Sequence, residues 1–120
     1  MKITVNEIPP SNNKYLGNSH SFRAYQREKE RWHWMIKAAV KDRPDKPLEK
    51  AAVTITYHFR DGRRRDPDNY SGKFILDALV AESILIDDSF DVIELYLKQG
   101  QKDRNNPHTV VEVEEMKIHG

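Results

Sequence analysis

The most chemically distinctive stretch of this chain places a run of arginines directly before two closely spaced carboxylates. The arginines are Arg60, Arg63, Arg64 and Arg65. Asp66 and Asp68 follow them at once. Phosphoryl-transfer sites combine these groups, because carboxylates hold a hard divalent cation while guanidinium groups bind an anionic substrate. Two carboxylates ~4 Å apart repel by about 4 kcal/mol at an effective dielectric near 20, and a bound divalent cation turns that repulsion into attraction.

A purely structural interpretation of the same residues stays open. Asp66 and Asp68 stand where a helix is expected to begin, and the helix dipole stabilises negative charge at that end. The arginines could pair with them in a solvated network. Further along, Asp87 and Asp88 offer a third carboxylate of the same kind, or a simple turn. Lys73, one turn beyond the aspartates, makes the combination more specific.

Hydrophobic periodicity predicts the elements that position these residues. The expected strands span residues 2–5, 52–59, 92–97 and 109–113. One expected helix begins at Ser21, and a second spans residues 67–81. We therefore expect one α+β domain over residues 1–120, in the order β-α-β-α-β-β. Two main helices would pack on a small mixed sheet of about four strands.

Each expected helix carries a feature that the structure can test. In the first, Ser21 is the expected N-cap. One apolar stripe of that helix contains Phe22, Tyr25, Trp32, Ile36 and Ala39. Lys29 interrupts the stripe and can bury its stem. Trp32 and Trp34 cannot both face one core. In the second helix, Gly72 costs up to ~1 kcal/mol relative to alanine, which predicts a kink or a close approach there.

Composition limits the possible functions. The chain carries 20 Lys and Arg against 19 Asp and Glu, for a net charge of +1. This balance argues against a uniformly basic binder and allows separate basic and acidic regions. The absence of cysteine removes disulfides, thiolate metal sites and cysteine nucleophiles, and it suits a reducing compartment. No stretch approaches the ~20 apolar residues of a membrane span. We expect a soluble cytoplasmic protein without a membrane partner.

The chain resembles the RusA-like crossover-junction endodeoxyribonucleases of bacteria and their prophages. The matching pieces are PSNN at residues 10–13, RRDPDN at 64–69, Lys73, DAL at 77–79, and DD at 87–88. Each piece is short, but their order and spacing over positions 10 to 88 make the combination specific. One departure is that residues 70–72 separate Asn69 from Lys73, where some members have one residue fewer. The helical position of Lys73 relative to Asp66 is therefore open.

The resemblance implies a Mg²⁺-dependent Holliday-junction resolvase, with Mn²⁺ able to substitute and no nucleotide cofactor. Asp66, Asp68 and Asp88 would hold the metal, and Lys73 would assist at the scissile phosphate. The implied DNA-binding residues are Asn12, Asn13, Lys14, Arg63, Arg64, Arg65 and Asn69. An activated water would attack phosphorus in line and expel the 3′ oxygen, leaving a 5′-phosphate. A C₂ homodimer would supply two sites to a four-way junction of near two-fold symmetry.

Other functions fit the sequence less well. A non-catalytic branched-DNA-binding protein, such as a decayed prophage resolvase, should have lost an aspartate, and none is missing. A nucleotide-sugar glycosyltransferase using D-x-D usually needs a nucleotide-binding domain larger than this chain. The EF-hand loop pattern is absent. We interpret His58 and His108 as packed or surface histidines rather than general bases. Residues 112–115, rich in glutamate, are interpreted as a solvated strand end.

Overall fold

A four-stranded mixed sheet forms the centre of the molecule, in a computed structural model that describes residues 1–15 and 21–117. The strands are β1 (Lys2–Val5), β2 (Ala51–His58), β3 (Ile93–Gln99) and β4 (His108–Glu115). Their spatial order is β1-β4-β2-β3. β4 runs antiparallel to both β1 and β2, whereas β3 runs parallel to β2. The predicted α+β class and the order β-α-β-α-β-β are confirmed.

β2 is paired on both edges and buries every second side chain. Val53 and Ile55 are fully buried, whereas Thr54 and Thr56 are only partly covered. The alternation in the sequence predicted this strand, because successive side chains point to opposite faces of a sheet. β3 and β4 extend beyond their predicted limits, since β3 ends at Gln99 and β4 reaches Glu115. The last glutamates of β4 are exposed, as expected.

Two parallel helices, α1 (Ser21–Ala39) and α2 (Lys73–Ala81), pack against each other. Trp32 is fully buried and Trp34 is 58% exposed, which confirms that only one of the two faces the core. Phe22, expected in the buried stripe, is instead 70% exposed. Tyr25 packs on Phe74 at the start of α2, so the turn that carries Phe22 extends past the end of its partner helix. The side chain of Ser21, the expected N-cap, lies outside the described residues.

The second helix begins later than predicted. Pro67–Asn69 form a single 3₁₀ turn, and α2 starts only at Lys73. The 3₁₀ turn ends at Asn69, and Gly72 is the N-cap of α2 with a left-handed φ of 80°, which starts the helix in a new direction. A Cβ at this position would overlap Cδ1 of Ile55 on β2. Gly72 therefore marks a close approach, as expected, but it precedes the helix.

No helix in the described part of the chain is both long and apolar enough to cross a membrane.

Replacement of Gly72 by alanine should destabilise the fold. The positive φ costs a residue with a Cβ about 1–2 kcal/mol, and Ile55 is fully buried and has little room to move. We expect the Tm to fall by about 5–10 °C in a thermal unfolding scan. Gly62→Ala is the matched control, because a Cβ there meets nothing within 4 Å. Equal melting temperatures for both variants would contradict this account of Gly72.

Candidate active site and nucleic-acid interface

The arginine loop, residues 60–66, leaves the carboxyl end of β2 and folds around Asp61. The Asp61 carboxylate accepts hydrogen bonds from the backbone N–H of Arg63 at 3.1 Å and from the Arg65 guanidinium at 2.8 Å. These bonds, the backbone one foremost, lower the pKa of Asp61 to about 2. An Asp-Gly step such as residues 61–62 is typical of a turn that an aspartate side chain stabilises, but the pairing of Asp61 with Arg65 was not predicted.

The three consecutive arginines have different environments. Arg65 is turned inward and is only 18% exposed. Its guanidinium lies 4.2 Å from the centre of the Phe59 ring and donates to the carbonyl oxygens of Asp61 and Arg63. Arg63 and Arg64 are 84% and 89% exposed. The loop thus has one internal brace and two outward-facing cations, and the expected DNA contact of Arg65 remains a prediction.

Asp66 and Asp68 flank Pro67 at the 3₁₀ turn, and both are exposed. Asp66 occupies the N-cap position of that turn but makes no capping hydrogen bond through its side chain. The N-cap of α2 is Gly72, so neither aspartate caps the longer helix. The only ion pair that Asp66 forms within the described residues is with Arg64, at 3.4 Å. The capping interpretation therefore does not account for these carboxylates.

A second 3₁₀ turn, Asn12–Tyr15, braces the aspartate turn. The Asn12 amide donates to the backbone oxygen of Asp68 at 3.0 Å and to Oγ of Ser71 at 3.1 Å. Asn12 thereby links two segments that are 56 positions apart in sequence. Asn13 and Lys14, on the same turn, are exposed. The structure thus brings the first expected DNA-binding segment beside Asp68 and the half-buried Asn69.

Lys73 begins α2, and its ammonium lies 3.9 Å from Oδ2 of Asp77, one turn further along the helix. Lys29 of α1 approaches the same oxygen, also at 3.9 Å. That oxygen is buried and accepts no hydrogen bond within the described residues. Asp77 therefore holds the two lysines near each other by charge. The Lys73–Asp77 spacing of four was visible in the sequence, but the approach of Lys29 required the packing of α1 on α2.

The third expected metal ligand lies away from the other two. Asp66 lines a cavity with Lys98 and Gln99, at the carboxyl end of β3. Asp88 precedes the amino end of the same strand. A seven-residue strand separates these ends by roughly 20 Å at ~3.3 Å per residue. Within residues 1–15 and 21–117, no group of three or more His, Cys, Asp or Glu side chains could hold a metal ion.

Asp66 and Asp68 alone nevertheless suit Mg²⁺. Both offer hard oxygen ligands at an exposed turn. Mg²⁺ in phosphoryl-transfer sites is usually held by one or two carboxylates, with water and substrate phosphate completing the coordination. One chain therefore offers Mg²⁺ two carboxylates at this turn, whereas the resemblance implies three.

His58 and His108 form a stacked pair, with ring centres 4.3 Å apart. Each directs Nδ1 to a backbone carbonyl, His58 to Gln101 at 2.8 Å and His108 to Asn106 at 2.7 Å. Because a carbonyl only accepts, each Nδ1 carries the proton in these bonds. This packing between β2 and β4 favours the structural interpretation of both histidines.

Exposed carboxylates thus lie beside exposed arginines on an α+β domain, and this combination suits a phosphodiester substrate. The family model of the endodeoxyribonuclease RusA matches residues 7–114 of the 120-residue chain. The chain belongs to the RusA endodeoxyribonuclease family, a family that acts on branched DNA junctions. Membership implies endodeoxyribonuclease activity. No curated protein sequence matches the chain.

The inward and outward arginines should respond differently to alanine. Arg65→Ala removes a ring contact and three hydrogen bonds, so we expect the Tm to fall by about 5 °C. Arg64→Ala should leave the Tm unchanged but reduce the slope of log affinity for DNA against log salt by about one unit. Thermal unfolding and salt-dependent binding to a labelled four-way junction measure the two effects. A similar Tm for the two variants would show that Arg65 does not brace the loop.

Proposed function

We propose that this chain is a Mg²⁺-dependent Holliday-junction resolvase that cuts four-way DNA junctions by paired symmetric nicks and leaves 5′-phosphates. The observation that carries the proposal is the exposed pair Asp66 and Asp68 beside the exposed Arg63 and Arg64, in a chain of the RusA family. The expected setting is recombination and repair in the cytoplasm of a bacterium, with a bacterial or phage gene. Mn²⁺ should substitute for Mg²⁺, and no nucleotide cofactor is required.

The residues of the loop would divide the work of cleavage. Arg63 and Arg64 would bind the backbone phosphates on either side of the cut, which neutralises charge and fixes the strand. Asp66 and Asp68 would hold Mg²⁺, which when bound supplies Lewis-acid polarisation of the phosphodiester and activation of water. Lys73 would leave Asp77 for the scissile phosphate, where its ammonium stabilises the negative charge that develops during in-line attack.

A second copy of the chain would complete the metal site. Asp88 stands at the opposite end of β3 from Asp66 and Asp68, so it can join them only across an interface between two chains. A C₂ dimer would join Asp88 of each protomer to the aspartate turn of the other. Two such sites would match the near two-fold symmetry of a four-way junction.

The surface near Asp88 supports this dimer. β3 is an edge strand, with Leu95 and Tyr96 partly exposed. Phe90, two residues beyond Asp88, is fully exposed. Exposed large apolar side chains beside an unpaired strand edge are typical of an interaction surface. A dimer built on this edge would bury them and bring Asp88 to the interface at the same time.

The alternative function is a non-catalytic protein that only grips branched DNA. The separation of Asp88 from Asp66 within one chain favours this alternative if the protein is a monomer. The two functions therefore differ in two measurable properties, cleavage and oligomeric state.

Asparagine at Asp66, Asp68 or Asp88 should abolish cleavage and preserve binding. Each change removes a metal ligand and also removes negative charge near the phosphates, so junction affinity should be equal or higher. The measurement is cleavage of a labelled four-way junction, linear duplex and single strand, with and without Mg²⁺. Asp45→Asn, an exposed aspartate beside Lys46 at the other end of β2, is the control and should cut normally. Wild-type cleavage rates for all three site variants would refute the metal-site proposal.

Two inactive variants should restore nicking when mixed. If Asp88 acts across the dimer, an Asp68→Asn subunit paired with an Asp88→Asn subunit has one site with all three aspartates and one site that lacks two. Random exchange makes about half of the dimers mixed, so about a quarter of the wild-type number of intact sites should return. On a supercoiled cruciform plasmid the product should be nicked but unresolved. Wild type mixed with Asp68→Asn should give the same product.

The outcome depends on the arrangement of the site. If each site lies within one chain, the mixture of Asp68→Asn and Asp88→Asn stays inactive. A monomeric mass by light scattering, with full resolution activity at the same concentration, would rule out the dimer altogether.

A further inference from the structure

A strongly basic cleft lies beside the arginine loop and includes residues that the proposed chemistry does not use. Its volume is about 650 Å³, and its lining consists of Arg60, Asp61, Arg63, Lys102 and Arg104. Lys102 and Arg104 belong to the β3–β4 loop, residues 100–107. The lining thus carries four cationic side chains and one carboxylate, an excess of positive charge that is larger than the +1 net charge of the whole chain.

The one carboxylate of the cleft is already neutralised. Asp61 pairs with Arg65, which faces inward, and with Arg63. Within the described ranges, Arg60, Lys102 and Arg104 form no ion pair. Clustered cations without acidic partners repel one another, and a polyanion relieves that repulsion. The lining contains no aromatic or aliphatic side chain, whereas the centre of a protein–protein interface is usually apolar.

Hydrogen bonds hold the β3–β4 loop against the end of β2. The backbone N–H of Gly100 donates to the carbonyl of Tyr57 at 2.9 Å, and that of Asp103 donates to Phe59 at 2.8 Å. His58 adds a bond to the Gln101 carbonyl at 2.8 Å. A Cβ on Gly100 would lie 2.5 Å from the His58 ring, so the close approach requires glycine. These bonds anchor the backbone that carries Lys102 and Arg104 before any ligand binds, which lowers the entropy cost of ordering the loop on binding.

We propose that this cleft binds the phosphodiester backbone of a DNA arm, with Lys102 and Arg104 as contacts beyond the arginine loop. The proposal rests on the proposed function, because it extends the same DNA-binding face. Arg63 lines the cleft and precedes Asp66 by three residues, so a strand that crosses the cleft continues directly to the aspartate turn. Contacts on both loops grip the duplex outside the reacting phosphate, and they contribute to binding rather than to the chemical step.

The test compares two double variants that lose the same charge. Lys102→Ala with Arg104→Ala removes the proposed contacts. Lys46→Ala with Lys50→Ala is the control, because these lysines line a cleft at the opposite end of β2 that also contains Asp45, Glu49 and Glu115. Binding to a labelled four-way junction is measured without Mg²⁺ over a range of salt concentrations. Cleavage is measured with Mg²⁺ in a single turnover at saturating protein.

The cleft variant should bind about 10- to 100-fold more weakly at ~0.1 M salt, and its log–log salt slope should fall by about two units. Its cleavage rate at saturation should stay within about twofold of wild type. The control should match wild type in both assays. Because both cleft residues are exposed, the Tm should not change, and Lys102→Gln with Arg104→Gln should reproduce the result with side chains of similar length.

The proposal would be overturned if the cleft variant bound the junction with the same affinity and the same salt slope as the control variant. An acidic protein would then be the alternative occupant of the cleft. A saturated cleavage rate that falls in parallel with affinity would overturn the separation of binding from chemistry. If wild type binds junctions but cuts none of them in Mg²⁺, while the cleft variant still binds weakly, the cleft proposal holds and the nuclease proposal fails.

Discussion

The inward turn of Arg65 is the contact on which the rest of the arginine loop depends. Successive arginines repel one another, and a loop of exposed arginines would have no fixed shape. Arg65 relieves this by lying on the buried Phe59 ring and donating to Asp61, whose carboxylate also holds the backbone of Arg63. The side chains that remain exposed therefore project from a fixed frame anchored to the central strand. The same frame sets where Asp66 leaves the loop.

Hydrophobic periodicity in the sequence predicted the two α-helices and the four strands, but it did not predict where each of them begins and ends. The alternation in β2 predicted a buried strand, because its period matches the pleat. The start of α2 was wrong by six residues, since proline and aspartate begin a 3₁₀ turn as readily as an α-helix, and the direction then changes at Gly72. The sequence singled out Arg63, Arg64 and Arg65 but could not predict that Arg65 alone is turned inward. The hydrogen bonds from Asn12 to the aspartate turn, and the position of Lys102 beside Arg60 in the basic cleft, join segments that are distant in sequence, so local patterns could not predict them.

The parallel pairing of β2 with β3 controls where the acidic residues lie. Two parallel strands need a crossover that returns the chain to the starting edge of the sheet, and α2 makes this return. Asp66 and Asp68 come before the crossover, after the carboxyl end of β2. Asp88 comes after the crossover, before the amino end of β3. The three aspartates of the expected metal site are therefore divided between opposite ends of the parallel strands β2 and β3.

This division also separates charge along the strands. The cleft beyond the carboxyl end of β3 is lined by Arg60, Arg63, Lys102 and Arg104, whereas the segment before its amino end contains Asp87, Asp88 and Asp91. A two-fold operation that sets the amino edge of one protomer against the carboxyl edge of another would place opposite charges together. In the proposed dimer, the DNA backbone and the second chain would therefore both approach the carboxyl ends of β2 and β3, next to Asp66 and Asp68.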